Sequence, residues 1–373
     1  MRDPSLYIGL MSGTSLDGVD AALVDFAATP PALLAVHCSP YPGAFRRELL
    51  SRITPDASLS WAEIARLDHA LAEQFASAVR GLLERAGPLP GTVRAIGSHG
   101  QTVWHAPGGT TANSLQLGDP AYLAVTTGIP VVADFRRADI AAGGQGAPLV
   151  PAFHAALFRD REEDRAVLNL GGIANLTCLP ADPMAPVTGF DTGPGNLLLD
   201  AWCQAHTGAP YDREGAWARR GRPVPELLAA WLSDPYFAAP PPKSTGREYF
   251  HLGWLQAAGT RLEAYRPEDV QATLVALTAH TVADALHRYC PARPARLLVC
   301  GGGARNPALM AALQEALPGV VVEPTDALGL AAEWVEAAAF AWLAKRRIEG
   351  KPGNLPEVTG ARRRVVLGGL HLP

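Results

Sequence analysis

A chain of 373 residues is long enough for two domains rather than one. With 48% hydrophobic and 18% charged residues and a formal net charge of −4, it has the balance of a globular protein and no basic footprint for nucleic acid. The five cysteines, Cys38, Cys178, Cys203, Cys290 and Cys300, are odd in number and form no CxxC pair, which reads as free thiols rather than a disulfide framework.

In chain order, Leu6 to Leu10 and Ala21 to Phe26 read as strands flanking the loop GTSLDGVD, Gly13 to Asp20. Trp61 to Ala86 reads as a helix, because Ile64, Leu67, Leu71, Phe75, Val79 and Leu82 recur at steps of three and four. Gly87 and Pro88 end it. Val93 to Gly97 is a short strand with SHGQTVWHAP at its end, and Pro130 to Ala133 is another. The glycine-rich run DFRRADIAAGGQGAPLVP, Asp134 to Pro151, reads as a loop. Val167 to Leu170 and Asn175 to Leu179, joined through GGIA, resemble the N-terminal hairpin and hint at a duplication. Helical patterns follow at Leu197 to Thr207, Val224 to Leu232, Val270 to Tyr289 and Pro307 to Leu317. PPPKSTGREYF, Pro240 to Phe250, reads as a turn-rich insertion. Leu297 to Cys300 is strand-like and runs into Gly301, Gly302 and Gly303, and Val365 to Leu367 is a candidate last strand. Alternating strands and helices indicate an α/β architecture. The longest apolar stretch, near Ala327 to Ala344, carries Glu333 and Glu336 and is too polar for a membrane span. No leader pattern opens the chain, so the expected location is cytoplasmic.

The glycine-rich loops carry the chemistry. In GTSLDGVD, Gly13 and Gly18 permit close backbone approach to a phosphate, and Thr14 and Ser15 offer hydroxyls. Asp17 and Asp20 are candidates to orient water on Mg²⁺, which takes oxygen ligands and keeps several waters. The competing reading is an ordinary Asp-Gly hairpin turn. In GFDTGPGN, Asp191 is a candidate general base, metal ligand or helix cap, and Asn196 could cap the following helix instead. Three glycines in GGGARNP would admit a flat ring or a phosphate. There is no GxGxxG, Walker GxxxxGK[ST], HExxH or GxSxG pattern. His99 and Gln101 stand at a strand end, where open α/β sheets bind ligands. His99 is either a hydrogen-bonding group for a polar substrate or a structural histidine, and with His105 it lacks the companions a zinc site needs. Trp104 reads as core or as a sugar-stacking platform, and Trp334 and Trp342 as helix-face core.

Together, GLMSGTSLDGVD, SHGQTVWH, QLGDP, DFRRADIAAGGQGAPLVP, NLGGIAN, GFDTGPGN, CGGGARNP and EWVEAAAFAWLA resemble the anhydro-N-acetylmuramic acid kinase family over nearly the whole chain. The resemblance implies an actin/hexokinase-type fold: two RNase H-like domains with a nucleotide cleft between them. Their expected extents are 1–136 with 357–373, and 137–356 with helical insertions. It implies ATP and Mg²⁺, a homodimer, no nucleic-acid or membrane partner, and a role in peptidoglycan recycling. The implied reaction opens the 1,6-anhydro ring of 1,6-anhydro-N-acetylmuramate with water while O6 takes the γ-phosphate, giving N-acetylmuramate 6-phosphate and ADP.

By the same resemblance Asp191 is the base that activates water. Gly13, Thr14, Ser15, Leu16, Asp17, Gly18, Val19 and Asp20 form the ATP-phosphate loop. Gly171, Gly172, Asn175, Gly193, Gly195 and Asn196 join the nucleotide site, and Gly301, Gly302, Gly303 and Asn306 form its adenosine side. His99, Gln101, Arg136 and Glu333 line the sugar side; Arg136 either grips the lactyl carboxylate or pairs with Asp139. Asp191 lies beyond NLGGIAN in the second half, a placement in keeping with a base that faces water. Two other readings stay open: a sugar kinase of this fold without ring hydrolysis, and an ATP-gated binding protein.

Overall fold

The computed structural model describes residues 4–13, 15–54, 57–89, 91–257 and 261–373, so Thr14 of the first loop lies outside the described residues. In chain order the strands are β1 (Leu6–Met11), β2 (Gly18–Asp25), β3 (Ala32–Pro40), β4 (Val93–Ser98), β5 (Gln101–Ala106), β6 (Asn113–Leu117), β7 (Val131–Ala133), β8 (Arg165–Leu170), β9 (Ile173–Leu179), β10 (Thr188–Pro194), β11 (Arg296–Cys300), β12 (Val321–Pro324) and β13 (Gly369–His371). Contacts divide the chain into two units: Met1–Phe153 with Trp334–Pro373, and His154–Glu333.

Each unit is built on one sheet, and the two sheets share a topology. In the first the order is β13-β7-β4-β1-β2-β3; in the second it is β10-β9-β8-β11-β12. β1, β2 and β3 run antiparallel in succession, and β4 returns parallel to β1 and is followed by parallel β7. β8, β9 and β10 repeat the antiparallel meander, with β11 parallel to β8 and to β12. Parallel neighbours need a crossover, and helices supply it: Trp61–Ala86 between β3 and β4, Pro267–Tyr289 between β10 and β11. This repeated order is the RNase H-like arrangement, and the two hairpins that resemble each other in sequence occupy the same place in it.

The Trp61–Ala86 helix opens on a capping box between Ser60 and Glu63 and ends at Gly87, whose φ is +64°. It buries Leu67, Leu71, Phe75, Val79 and Leu82, the face expected from the spacing. The helix Val335–Ile348 packs on β1 and β4 of the first unit. Its approach depends on two glycines: a Cβ on Gly9 would overlap the carbonyl of Ala337, and one on Gly97 would overlap that of Phe340. Because of this packing, residues 137–153 and 334–356 belong by contact to the first unit, not to the second as the expected boundaries would have it.

Other expectations need correction. Asp134 to Pro151 is not a loop throughout, since it holds the helix Phe135–Ala141 and begins the helix Val150–Phe158. The last strand is Gly369–His371, paired with β7, and not Val365 to Leu367. Cys178 and Cys290 form a disulfide with Cα atoms 5.6 Å apart, and Cys38, Cys203 and Cys300 stand outside any disulfide. A separation of 112 residues hid that pairing, because only the packing of β9 against the end of the Pro267–Tyr289 helix joins them. Trp104 is half exposed on β5 and is therefore not core. Among the described residues no helix is long and apolar enough to cross a membrane.

Candidate active site

The loop after β1 is tied down from two sides. Ser12 Oγ lies 2.7 Å from Gln101 Oε1, 2.8 Å from Tyr41 Oη and 2.9 Å from Gly18 O. A serine hydroxyl has one proton to give, so the Tyr41 hydroxyl donates to Ser12, which donates onward. Burial pushes the Tyr41 phenol up to about 12, which keeps that donor protonated. Gln101 Nε2 reaches Gly13 O at 3.4 Å and Thr102 O at 3.3 Å. On the outer side Arg46 donates to Leu16 O (3.0 Å) and Ser15 O (3.2 Å) and pairs with Asp17 at 2.7 Å.

This arrangement narrows the expected phosphate loop. Leu16 and Val19 bury their side chains in the core, and Leu16 does so at φ +55°, a strained region for a branched residue. Gly18 is required by the sheet, because its Cβ would strike the β3 backbone at Ser39 and Pro40. Asp17 is engaged by Arg46, and Asp20 is a half-buried residue of β2. Gly13 and Ser15 remain open: the nearest atom to a Cβ on Gly13 is Ser15 Oγ at 3.8 Å. Gln101 is a buried tie for this loop. Tyr41 and Arg46 had no loop signature in the sequence, and Ser12 stood in the motif with no role assigned.

His99 and Arg136 do come together. Arg136 Nη2 stands 2.7 Å from His99 Nε2, and Nη1 donates to Gly146 O at 2.8 Å. An arginine only donates, so His99 accepts through Nε2 and carries its proton on Nδ1, which has no partner among the described residues. Burial first, and Arg136 next, hold the His99 imidazole down at about 3, so it is neutral. Burial also lowers the Arg136 guanidinium to about 10, against the charge of Glu336, and its Nε has no partner among the described residues. Asp139 does not pair with Arg136. It is fully buried and accepts from Gly146 N (2.8 Å), Asn354 Nδ2 (2.6 Å) and Thr359 Oγ1 (2.8 Å).

In the second unit Asp191 lies within β10, at a bulge, and not in a loop. Its register partner on β9 is Asn175, whose amide donates to Oδ1 at 2.8 Å. Asn175 is therefore a holder of the carboxylate. Thr245 N–H donates to Oδ2 at 3.0 Å, and the Tyr236 hydroxyl donates to the Asp191 carbonyl at 2.9 Å. Burial pushes the carboxyl above its ordinary value; the Asn175 and Thr245 hydrogen bonds oppose this, Glu248 adds to it, and Lys243 pulls it back. Each oxygen accepts one described hydrogen bond, which leaves lone pairs for a water. Lys243 and Thr245 belong to a segment that sequence reading saw only as turns, and Tyr236 stands in the short helix Pro235–Ala238 before it.

The glycines near Asp191 serve the backbone. Gly195, Asn196 and Leu197 N–H groups donate to the carbonyls of Gly171 and Gly172 at 2.8 to 3.0 Å, so the first turn of the helix Asn196–Thr207 spends these donors internally. Neither Asp191 nor Asn196 caps that helix: Gly195 holds the cap position, and Asn196 Nδ2 donates to Leu170 O at 2.9 Å. Gly193 is at φ +151° against the Phe237 ring.

Beyond this turn lies a cavity of about 670 Å³, lined by Asn196, Asp200, Tyr211, Gly302, Asn306 and Glu333 among others. Gly302 has open space where a Cβ would stand, whereas Gly301 and Gly303 are pressed against Asn169 and Leu170. Asn306 caps the helix Pro307–Ala316 through its Oδ1. Glu333 is paired with Arg305 in this cavity, so it joins the GGGARNP loop. Asp200 and the turn Tyr211 to Glu214 complete the wall and carried no sequence signal. Among the described residues no group of three or more His, Cys, Asp or Glu forms a metal cluster.

The profile of the family described as anhydro-N-acetylmuramic acid kinase matches residues 5–373. A protein of that name from Saccharophagus degradans is 50% identical over 99% of this chain and 100% of its own length. One from Chromohalobacter salexigens is 52% identical over 98% of this chain and 99% of its own. A third, from Coxiella burnetii, is 48% identical over 98% and 97%. With half of all positions shared across essentially the whole length of both partners, the chain belongs to the anhydro-N-acetylmuramic acid kinase family.

Proposed function

We propose that this chain is an ATP-dependent kinase that couples hydrolysis of the 1,6-anhydro bond of 1,6-anhydro-N-acetylmuramate to phosphorylation at O6, in the recycling of peptidoglycan fragments. The full-length identity to proteins of that name carries the assignment. The held carboxylate of Asp191 supplies the chemistry: it accepts a proton from water as the water oxygen bonds to C1. The C1–O6 bond breaks, O6 bonds to the γ-phosphorus of ATP, and the bond to the ADP oxygen breaks. The proton on Asp191 passes to solvent. A carboxyl raised by burial is a stronger base than one in water, and general base catalysis contributes about 10²–10⁴-fold.

His99 and Arg136 are the residues we assign to the sugar. Arg136, with Nε lacking an acceptor among the described residues, suits the lactyl carboxylate, and the neutral His99 Nδ1–H suits a hydroxyl or carbonyl oxygen. Gly13 and Ser15 are assigned to the phosphates, and Gly302 with its cavity to the adenosine. A Mg²⁺ that keeps most of its waters needs only one or two carboxylates, which Asp20 and the Arg46-bound Asp17 can meet through water; it would neutralise charge on the phosphates. The assembly is proposed to be a homodimer.

Turnover in ¹⁸O-labelled water with ATP, Mg²⁺ and the anhydro sugar tests the reaction. Label at C1 of the phosphorylated product is expected. A phosphorylated product without label would mean a kinase that does not open the ring. For the adenosine side, Gly302→Leu fills the cavity from a position with free space, so stability is expected to stay within about 0.5 kcal/mol of the parent while the KM for ATP rises at least about tenfold. An unchanged KM would remove this cavity from the nucleotide assignment.

A further inference from the structure

The segment Pro240 to Phe250 contains a lysine that none of the chemistry above uses. Around Asp191 it closes a ring of contacts. The Asp191 N–H donates to Lys243 O at 3.2 Å, and Thr245 N–H donates to Asp191 Oδ2 at 3.0 Å, so backbone 243–245 runs alongside the base. The Lys243 ammonium turns back to donate to Tyr236 O at 3.0 Å and Phe237 O at 3.3 Å. It lies 4.7 Å from the centre of the Tyr236 ring and 5.7 Å from that of Tyr289. Tyr236 in turn donates its hydroxyl to the Asp191 carbonyl at 2.9 Å.

We propose that Lys243 is a positioning residue for the reaction, holding a positive charge beside the Asp191 carboxylate through its seat on the Tyr236 and Phe237 carbonyls. The proposal rests on reading Asp191 as the base. A half-buried carboxylate with an anionic neighbour drifts toward its protonated form, in which it accepts no proton from water. Burial and Glu248 both push Asp191 that way; the Asn175 and Thr245 hydrogen bonds oppose them first, and the charge of Lys243 adds to that opposition. The other groups facing this place are accounted for. Asn175 on β9 is a neutral donor, and burial raises the Tyr236 phenol, so it stays protonated. Hydrogen bonding to Asp234 likewise raises Tyr249. Burial first, and then Arg288 on the helix Pro267–Tyr289, lowers Lys243, while Asp191 raises it.

The sign follows directly. Activity needs ionised Asp191 and is lost as the pH falls through its pKa. Removing a nearby cation raises that pKa, so activity is lost at a higher pH.

Lys243→Gln and Lys243→Arg separate charge from pinning, since both can donate to the two carbonyls and only arginine keeps the charge. In pH profiles of kcat/KM for the anhydro sugar, K243Q is expected to move the acid limb to higher pH, with the high-pH plateau near the parent's. K243R is expected to leave the limb in place. K243M, which keeps the stem without the head group, is the second variant should K243Q fold poorly, and the same upward limb is expected. Acid limbs of the neutral variants that coincide with the parent's would overturn the proposal and leave Lys243 a structural pin. D191N, run beside them, separates the two readings. If it retains the parent's plateau, the base assignment fails. If D191N is inactive and the lysine variants keep the parent's limb, only the lysine proposal fails.

Discussion

Replacing Asp191 with asparagine is expected to lower kcat by about 10²–10⁴-fold while ATP still binds. The substitution is nearly isosteric, and its geometry sets the side effect. Asp191 accepts from Asn175 on one oxygen and from Thr245 N–H on the other. An asparagine can meet only one of these donors with its oxygen and must turn its own NH₂ toward the other. The cost is about 1–3 kcal/mol of stability, too little to unfold a two-unit protein. Nucleotide binding by isothermal calorimetry, together with kcat, separates loss of the base from loss of the fold. A variant with near-parental kcat would show that Asp191 is not the base.

Gly9→Val is expected to destabilise the first unit by about 3 kcal/mol or more. A Cβ at Gly9 would overlap the Ala337 carbonyl and come within 2.7 Å of Ala341 N, and both belong to the backbone of the Val335–Ile348 helix. A side chain could rotate away, but a helix backbone can only shift as a body, so the strain spreads to β1 and β4. Urea unfolding reads this as a fall in the midpoint. Gly13→Ala, four residues on in the same motif, is the contrast: its Cβ meets only Ser15 Oγ at 3.8 Å, so stability is expected to change by less than about 0.5 kcal/mol. Any loss of ATP affinity there reports on the ligand. A Gly9 variant as stable as the parent would mean that the helix does not lie against β1 this closely.

These two glycines show how far the motif can be read. GLMSGTSLDGVD looks like one phosphate-binding signature, yet its residues divide. Gly9 and Gly18 let backbone pack against backbone, Leu16 and Val19 fill the core, and Ser12 anchors the loop to Gln101 and Tyr41. Spacing identifies the loop and does not distinguish a glycine that faces a ligand from one that faces a helix. NLGGIAN and GFDTGPGN divide in the same way. Their glycines close a turn on the first N–H groups of a helix, and Asn175 is set opposite Asp191 by strand register.

Local patterns decided much about this protein from sequence. The long helix of the first unit, its glycine stop, the paired hairpins and the family motifs depend on neighbours within a turn or a strand, where propensity and periodicity act. The resemblance they carry was sufficient to place the chain in its family. What only the tertiary structure decided are pairings between residues far apart in the chain. Arg136 meets His99 rather than Asp139, Glu333 joins Arg305, Cys178 finds Cys290, and Thr245 reaches Asp191. Each depends on which strand or helix packs beside which. A side chain's partner is set by burial and hydrogen-bond satisfaction in the folded unit, and those are properties of the assembled sheet that no stretch of sequence holds alone.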